Sequence, residues 1–399
     1  MKLNSSEAFF IALFIIFTIP YLVWRVFNTD KYAPLVVVQI ISGILLGPSI
    51  IGSLLSEQYD AIFTADVLTA LGGVAKLAVV AFVWTAGVEL SLKEAIENKR
   101  ETAVTAGFAL LIPLLFGSVA ALILSSDSQW IGESAHKWQF ILGVGMATAV
   151  TALPILVLIL EKLNILNTEF GKRIIRYASL DDIVIWTVLA IILLDWERIV
   201  RQGIFIVTYA ASAILLRRLF IKMTDQRDKW ALAISWMVLI AFISDWSGLH
   251  YMVGGFLAGA VIDKEWFEED DLKSFRNNIL VLVMPVFFLI TGLRTNWGNS
   301  SIAVLLVALL MLLTSISGKI VGVQIARKIN KWQRGEAYSV GLLLQTKGLI
   351  EIIFCTILLD RGVISPSMFT ALVIMAVVST MVTFPAVSNK LKTVIGSKR

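Results

Sequence analysis

Two histidines and one cysteine are all that this 399-residue chain offers toward metal or redox chemistry. The lone Cys355 excludes an intramolecular disulfide and any cysteine-based metal cluster. His136 and His250 are too few and too scattered for a histidine metal site. Charge is scarce as well: Asp, Glu, Lys and Arg make up 16% of the residues, against ~25% in ordinary globular domains. Hydrophobic residues reach 58%, where ~45–50% is usual. Lipid is therefore the expected solvent for most of the chain. In so apolar a sequence the net charge of +5 reads as loop lysine and arginine that set topology, and no nucleic-acid partner is expected. No cofactor is expected either.

What the chain has in abundance is long apolar runs. About thirteen are of membrane length, at roughly 7–26, 34–53, 68–90, 103–124, 138–161, 173–194, 202–216, 229–245, 249–263, 278–293, 302–325, 336–359 and 366–388. The first has no small-residue cleavage site before Arg25 and reads as a helix, not a signal peptide. Loop charges support the count. The odd-numbered loops and the C-terminus, with Lys31, Lys93, Arg100, Arg217 and Arg327 among others, hold about 25 Lys and Arg, the remaining loops and the N-terminus about six. The positive-inside rule then puts the N-terminus outside and the C-terminus in the cytoplasm of a cell (inner) membrane. No soluble regulatory domain is expected at either end.

Two runs are interrupted. The fifth contains MATAVTALPILVL, with Thr148, Thr151 and Pro154 in mid-span. Proline lacks a backbone donor and blocks the preceding turn, so a kink or an unwound stretch is expected there. The twelfth contains LLLQTKGLIEIIF, with Gln345, Thr346, Lys347, Gly348 and Glu351 in mid-span. Irregular backbone at membrane depth survives only where it lines a cavity or is packed in protein. Seven spans separate the two breaks, so they run oppositely through the bilayer. An inverted-topology repeat requires this, with broken helices meeting at the midplane site of a secondary transporter.

Buried charge marks the same region. The sixth run carries Asp181 and Asp182 side by side, although each carboxylate at mid-membrane costs roughly 2.5–3.5 kcal/mol. Lys319 lies near the middle of the eleventh run, Lys347 and Glu351 lie in the twelfth, and Lys76 lies in the third. Glu351 follows Lys347 by one helical turn, so the two are expected to satisfy each other. Lys76 reads as a snorkelling or locally paired residue. Adjacent aspartates on a helix point about 100° apart, so they cannot share one partner in the same way. Lys319 can neutralise one of them. The other needs a proton, a mobile cation or a second fixed cation, with Lys347 the main candidate for the last. A carboxylate that holds either a proton or a small cation, never both, is a device for exchange.

Several ordered segments then resemble one family. They are PLVVVQIISGILLGPSIIG (34–52), VTALPILVLILEKLNILNTEFGKRI (150–174), the Asp-Asp helix, MPVFFLITGLRTN (284–296), SGKIVG (317–322) and QTKGLIEII (345–353). Together they are similar to the monovalent cation:proton antiporter-2 family of Kef-type, bacterial sodium/proton and plant cation/proton exchangers. TALP and TKGLIE look most like the plant branch. The resemblance spans roughly residues 8–388. It implies an all-α polytopic fold of about thirteen helices, with inverted repeats and two crossing discontinuous helices, working as a homodimer. Core transport helices would be at approximately 68–194 and 302–388, and dimerisation or scaffold helices at approximately 7–53 and 202–293. By position, Asp182 matches the residue that binds cation or proton, and Asp181 the neighbour that pairs with a lysine, here Lys319. Thr151 matches a threonine near the ion, and Lys347 a basic residue that offsets the helix ends in the other break. Many relatives have Asn-Asp where this chain has Asp-Asp, a difference associated with electrogenic exchange. Lys76 departs from the pattern without explanation.

The sequence therefore points to a secondary antiporter, not an enzyme, exchanging Na⁺ or K⁺ for H⁺ by competition at Asp182 in an elevator-like cycle. Sodium against potassium, stoichiometry and pH set point are not legible. The alternatives are an organic-anion carrier on the same architecture and a channel-like permease. An intramembrane aspartyl enzyme is disfavoured, because its two carboxylates must converge on one water while adjacent residues diverge.

Overall fold

The structure is a computed structural model that describes residues 3–29, 35–48, 50–89, 99–163, 165–166, 168–194, 198–295, 301–332 and 334–396. Lys31, Lys93 and Asn296 lie outside the described residues, as does the side chain of Pro154. The described residues are helical throughout, with a single isolated bridge between Ile131 and Ile364 in place of strands.

In chain order the main helices are α1 (Ser5–Val26), α2 (Leu35–Leu45), α3 (Ala65–Glu89), α4 (Lys99–Leu124), α5 (Lys137–Ala149), α6 (Leu153–Lys162) and α7 (Glu169–Ile192). There follow α8 (Ile199–Lys222), α9 (Gln226–Trp246), α10 (Tyr251–Ala260), α11 (Glu269–Asn278), α12 (Met284–Leu293), α13 (Ser301–Asn330), α14 (Arg334–Leu344), α15 (Leu349–Asp360) and α16 (Pro366–Gly396). A π-helical turn at Ile279–Val283 joins α11 to α12.

Among the described residues, eight helices are long and apolar enough to cross a membrane, and α14 with α15 forms a ninth crossing bent by 46°. That is fewer than the thirteen expected, for three physical reasons. The fifth run is split into α5 and α6, each too short to span. The sixth, α7, has the length but carries too many charges. The second and ninth runs form only the short helices α2 and α10.

The chain divides into two compact units. One comprises residues 1–17, 55–91 and 193–290, the other 18–54, 92–192 and 291–399. The third run falls with 193–290, and the second run and residues 18–26 of the first fall with the Asp-Asp helix. In the first unit, α10 lies tightly on α3. A methyl group at Gly87 would strike the Phe256 carbonyl, and one at Gly259 the Trp84 carbonyl, so small residues set the helix separation. Trp84, Trp230, Phe267 and Phe275 pack edge-to-face and tilted beside them, and Arg276 pairs with Glu89 at 2.7 Å. Lys76 is exposed on α3.

In the second unit α13 runs along α4. Gly318 and Gly322 face Pro113 and Phe108 so closely that a methyl group at either would collide with backbone. Lys319 stands between those two glycines in sequence, and its side chain is fully buried. Where α4, α7 and α14 begin, Arg173 pairs with Glu101 and Glu336, and Tyr177 donates to Glu101 at 2.7 Å.

Candidate functional site

The two interrupted runs meet inside the second unit. In the first, α5 ends at Ala149 and α6 starts at Leu153, leaving residues 150–152 unwound. Pro154 occupies the first turn of α6, where its missing donor costs nothing. In the second, α14 ends at Leu344 and α15 starts at Leu349. Gly348 caps α15 at φ +153° and ψ −132°, a conformation that glycine alone accepts readily. The breaks touch directly: the Ala152 amide donates to the Thr346 carbonyl at 2.8 Å.

Each break supplies donors for the carbonyls orphaned in the other. Lys347 Nζ donates to the carbonyls of Ala147, Thr148 and Val150 at 3.0, 2.8 and 2.8 Å. All three of its protons are thereby used. Thr151 Oγ1 lies 2.8 Å from the Leu344 carbonyl, the last of α14. In the second break every carbonyl from Gly341 to Gly348 has a hydrogen-bond partner within reach, that of Leu344 sharing the Thr151 hydroxyl with Asp181. Those of Gly341, Leu342, Leu343 and Gly348 accept from the chain's own amides. Leu344, Gln345, Thr346 and Lys347 accept from Thr151, Ser379, the Ala152 amide and Thr380.

The expected ion pair between Lys319 and Asp181 is present at 3.0 Å, with both side chains at most 1% exposed. Thr151 completes it. Lys319 Nζ donates to Thr151 Oγ1 at 2.7 Å, and Thr151 Oγ1 lies 2.6 Å from Asp181 Oδ2. A hydroxyl has one proton, so Thr151 donates to Asp181 or to Leu344, not to both at once. The threonine expected beside the ion is thus tied to the lysine-paired aspartate. Asp182, 1% exposed, follows on α7 and is buried with it. Thr148 lies one turn back, its Oγ1 2.7 and 3.0 Å from the Gly145 and Pro113 carbonyls, to one of which it donates.

Lys347 and Glu351 form the expected ion pair, but at 3.9 Å, and neither Glu351 oxygen accepts a hydrogen bond among the described residues. Lys347 lies before the N-cap of α15, so helical i,i+4 spacing does not govern it. Sequence reasoning also missed Ser315, Ser379 and Thr380. Gln345 Nε2 donates to Ser315 at 2.9 Å and Ser379 at 3.2 Å, and Ser315 donates to the Thr148 carbonyl at 2.7 Å. Their only sequence signal is a hydroxyl in an apolar run, which commonly just bonds its own helix.

A membrane bundle whose broken helices cross beside buried carboxylates is the architecture of secondary transporters. Comparison with known proteins narrows the class. The family model described as "Sodium/hydrogen exchanger, transmembrane" matches residues 12–389, and the chain belongs to that family as a multi-pass membrane protein. It is 29% identical to Cation/H(+) antiporter 19 of Arabidopsis thaliana over 89% of its own length and 46% of the relative's. It is 28% identical to Na(+)/H(+) antiporter NhaS4 of Synechocystis sp., over 89% and 90%, and 27% identical to K(+)/H(+) antiporter 1 of Saccharomyces cerevisiae, over 88% and 43%. The chain thus spans about half the length of the plant and yeast relatives and nearly all of the cyanobacterial one. The sodium proton antiporter MjNhaP1 of Methanocaldococcus jannaschii has the same fold, with a TM-score of 0.67 at 16% identity, covering 98% of this chain and 99% of that one.

Proposed function

We propose that this chain exchanges a monovalent cation, Na⁺ or K⁺, for protons across the membrane, with Asp182 as the group for which they compete. The observation that carries this is a pair of adjacent buried carboxylates, Asp181 and Asp182, beside the crossing of the two breaks, where Asp181 lies 2.6 Å from Thr151 Oγ1. Asp181 is tied to Lys319 and Thr151. The family resemblance assigns the neighbouring Asp182 to the cation or proton, and a buried carboxylate that holds one or the other, never both, couples the two fluxes.

The cation binds Asp182 with help from Thr151 and the first break's backbone. The core helices then carry the site across the membrane, and a proton displaces the ion on the other side. The relatives' names, which include both Na⁺ and K⁺ exchangers, support the exchange and leave the choice of ion open. They do not favour an organic-anion carrier. We further propose that the protein works as a homodimer in the inner membrane, with its N-terminus outside and its C-terminus in the cytoplasm.

The test uses purified protein in liposomes holding a pH dye and a proton gradient. Added Na⁺ or K⁺ should move protons in the wild type but not in Asp182→Asn. Flux retained in a folded Asp182→Asn protein would remove Asp182 from the mechanism. Repeating the assay with the voltage clamped by valinomycin reads electrogenicity.

A further inference from the structure

The mechanism above gives Glu351 no task, yet its carboxyl is fully buried and accepts no hydrogen bond among the described residues. Its nearest positive group is Lys347 Nζ at 3.9 Å. That ammonium spends its three protons on the Ala147, Thr148 and Val150 carbonyls instead. A side chain that serves only to cap α5 would not need a buried carboxylate one short step away.

The seat Lys347 occupies resembles an ion site. Three carbonyl oxygens surround one positive charge at 2.8–3.0 Å. Those distances are ordinary N–H···O hydrogen bonds, and rings of backbone carbonyls likewise replace the hydration shell of monovalent cations. Val150 immediately precedes Thr151, so its carbonyl belongs to the backbone on which the proposed cation draws. Lys347 and the cation are then rivals for the same oxygens.

We propose that Lys347 is a tethered cation with two seats, the break carbonyls and Glu351. In this structure it sits on the carbonyls. When the transported cation enters, Lys347 moves to Glu351 and yields the Val150 carbonyl to the ion. Closing 3.9 Å to a charge-assisted hydrogen bond of ~2.8 Å needs a shift of about 1 Å at the end of a flexible four-carbon stem. Glu351 is thus a positioning residue, acting on the cation through Lys347. The inference rests on the antiport reading.

The test is cation-driven proton flux in liposomes over a range of NaCl and KCl, with choline chloride as control. Glu351→Gln keeps the shape and removes the charge. It should raise the apparent KM for the cation about tenfold, ~1.4 kcal/mol, with Vmax within about twofold. Glu351→Asp should recover most of that loss. In a Lys347→Met background, Glu351→Gln should change KM no further. A wild-type KM in Glu351→Gln, an Asp variant as impaired as the Gln variant, or an undiminished effect in the Lys347→Met background overturns the proposal. Should Glu351→Gln fail to fold, infrared difference spectra of ¹³C-glutamate-labelled wild type carry the test. A cation-dependent shift of a labelled carboxylate band is expected, and no shift overturns it. Absence of wild-type flux with either ion would sink the antiport reading itself, a result distinct from an unaltered KM.

Discussion

The two helix breaks differ in the donors that satisfy them. The second is closed by neutral groups: the hydroxyls of Thr151, Ser379 and Thr380, and the chain's own amides. The first adds a charged donor: the Lys347 ammonium sits on three of its carbonyls, one of which, that of Thr148, also accepts from Ser315. A hydroxyl or amide leaves its acceptor only at the cost of an unsatisfied polar group at membrane depth. An ammonium can be replaced there by another cation. On the proposed mechanism the second break is scaffold, and the first is where exchange takes place.

The largest expected effect lies beside the first break. Asp182→Asn should lose cation-dependent proton flux entirely. In the wild type, the apparent KM for the cation should rise as pH falls, because protons occupy the same carboxyl, with a limiting slope of one proton per cation. A KM independent of pH across the working range would mean that proton and cation bind separate groups.

Next comes the fixed ion pair. Lys319→Met leaves Asp181 buried without its cation, and breaking a buried pair from one side costs about 3–5 kcal/mol. The melting temperature in detergent should fall sharply, and adding Asp181→Asn should recover part of the loss. A Lys319→Met protein as stable as wild type would show that the pair is not a structural strut. In the second break, Gly348→Ala forces a side chain into a conformation that only glycine accepts readily, at about 1–3 kcal/mol. It should lower the melting temperature more than the same change at Gly203, which has open space and an ordinary helical setting.

The sequence made one side of this comparison far more legible than the other. Asp181, Asp182, Lys319 and Lys347 stand out because charge is rare in apolar runs, and Pro154 and Gly348 stand out because proline restricts the backbone and glycine frees it. The family resemblance then ordered these residues, and the Lys319–Asp181 pair is where it implied. Partner choice within the breaks was hidden. Lys347 looked committed to Glu351 by helical spacing, but it precedes the helix to which that spacing applies. Ser379 and Thr380 looked like any hydroxyl in a membrane helix. Only the crossing of the two runs, a contact between residues some two hundred positions apart, brings these groups to specific carbonyls. The span count suffered similarly, because a broken or charged run has the length of a crossing without the form of one helix.

The smallest effect is the most discriminating. Ser379→Ala removes the hydroxyl that donates to the Gln345 carbonyl at 3.1 Å and receives from Gln345 Nε2 at 3.2 Å. A buried carbonyl left without its donor costs about 1–3 kcal/mol, so the melting temperature should drop by a few degrees. If the second break is scaffold, the KM for the cation should stay at its wild-type value. The matched change on the other side is Thr151→Val, which keeps the shape and removes the hydroxyl between Lys319, Asp181 and Leu344. That variant should shift KM as well as stability. Equal KM shifts in the two variants would mean that the ion senses both breaks alike, and the division into scaffold and exchange site would fall.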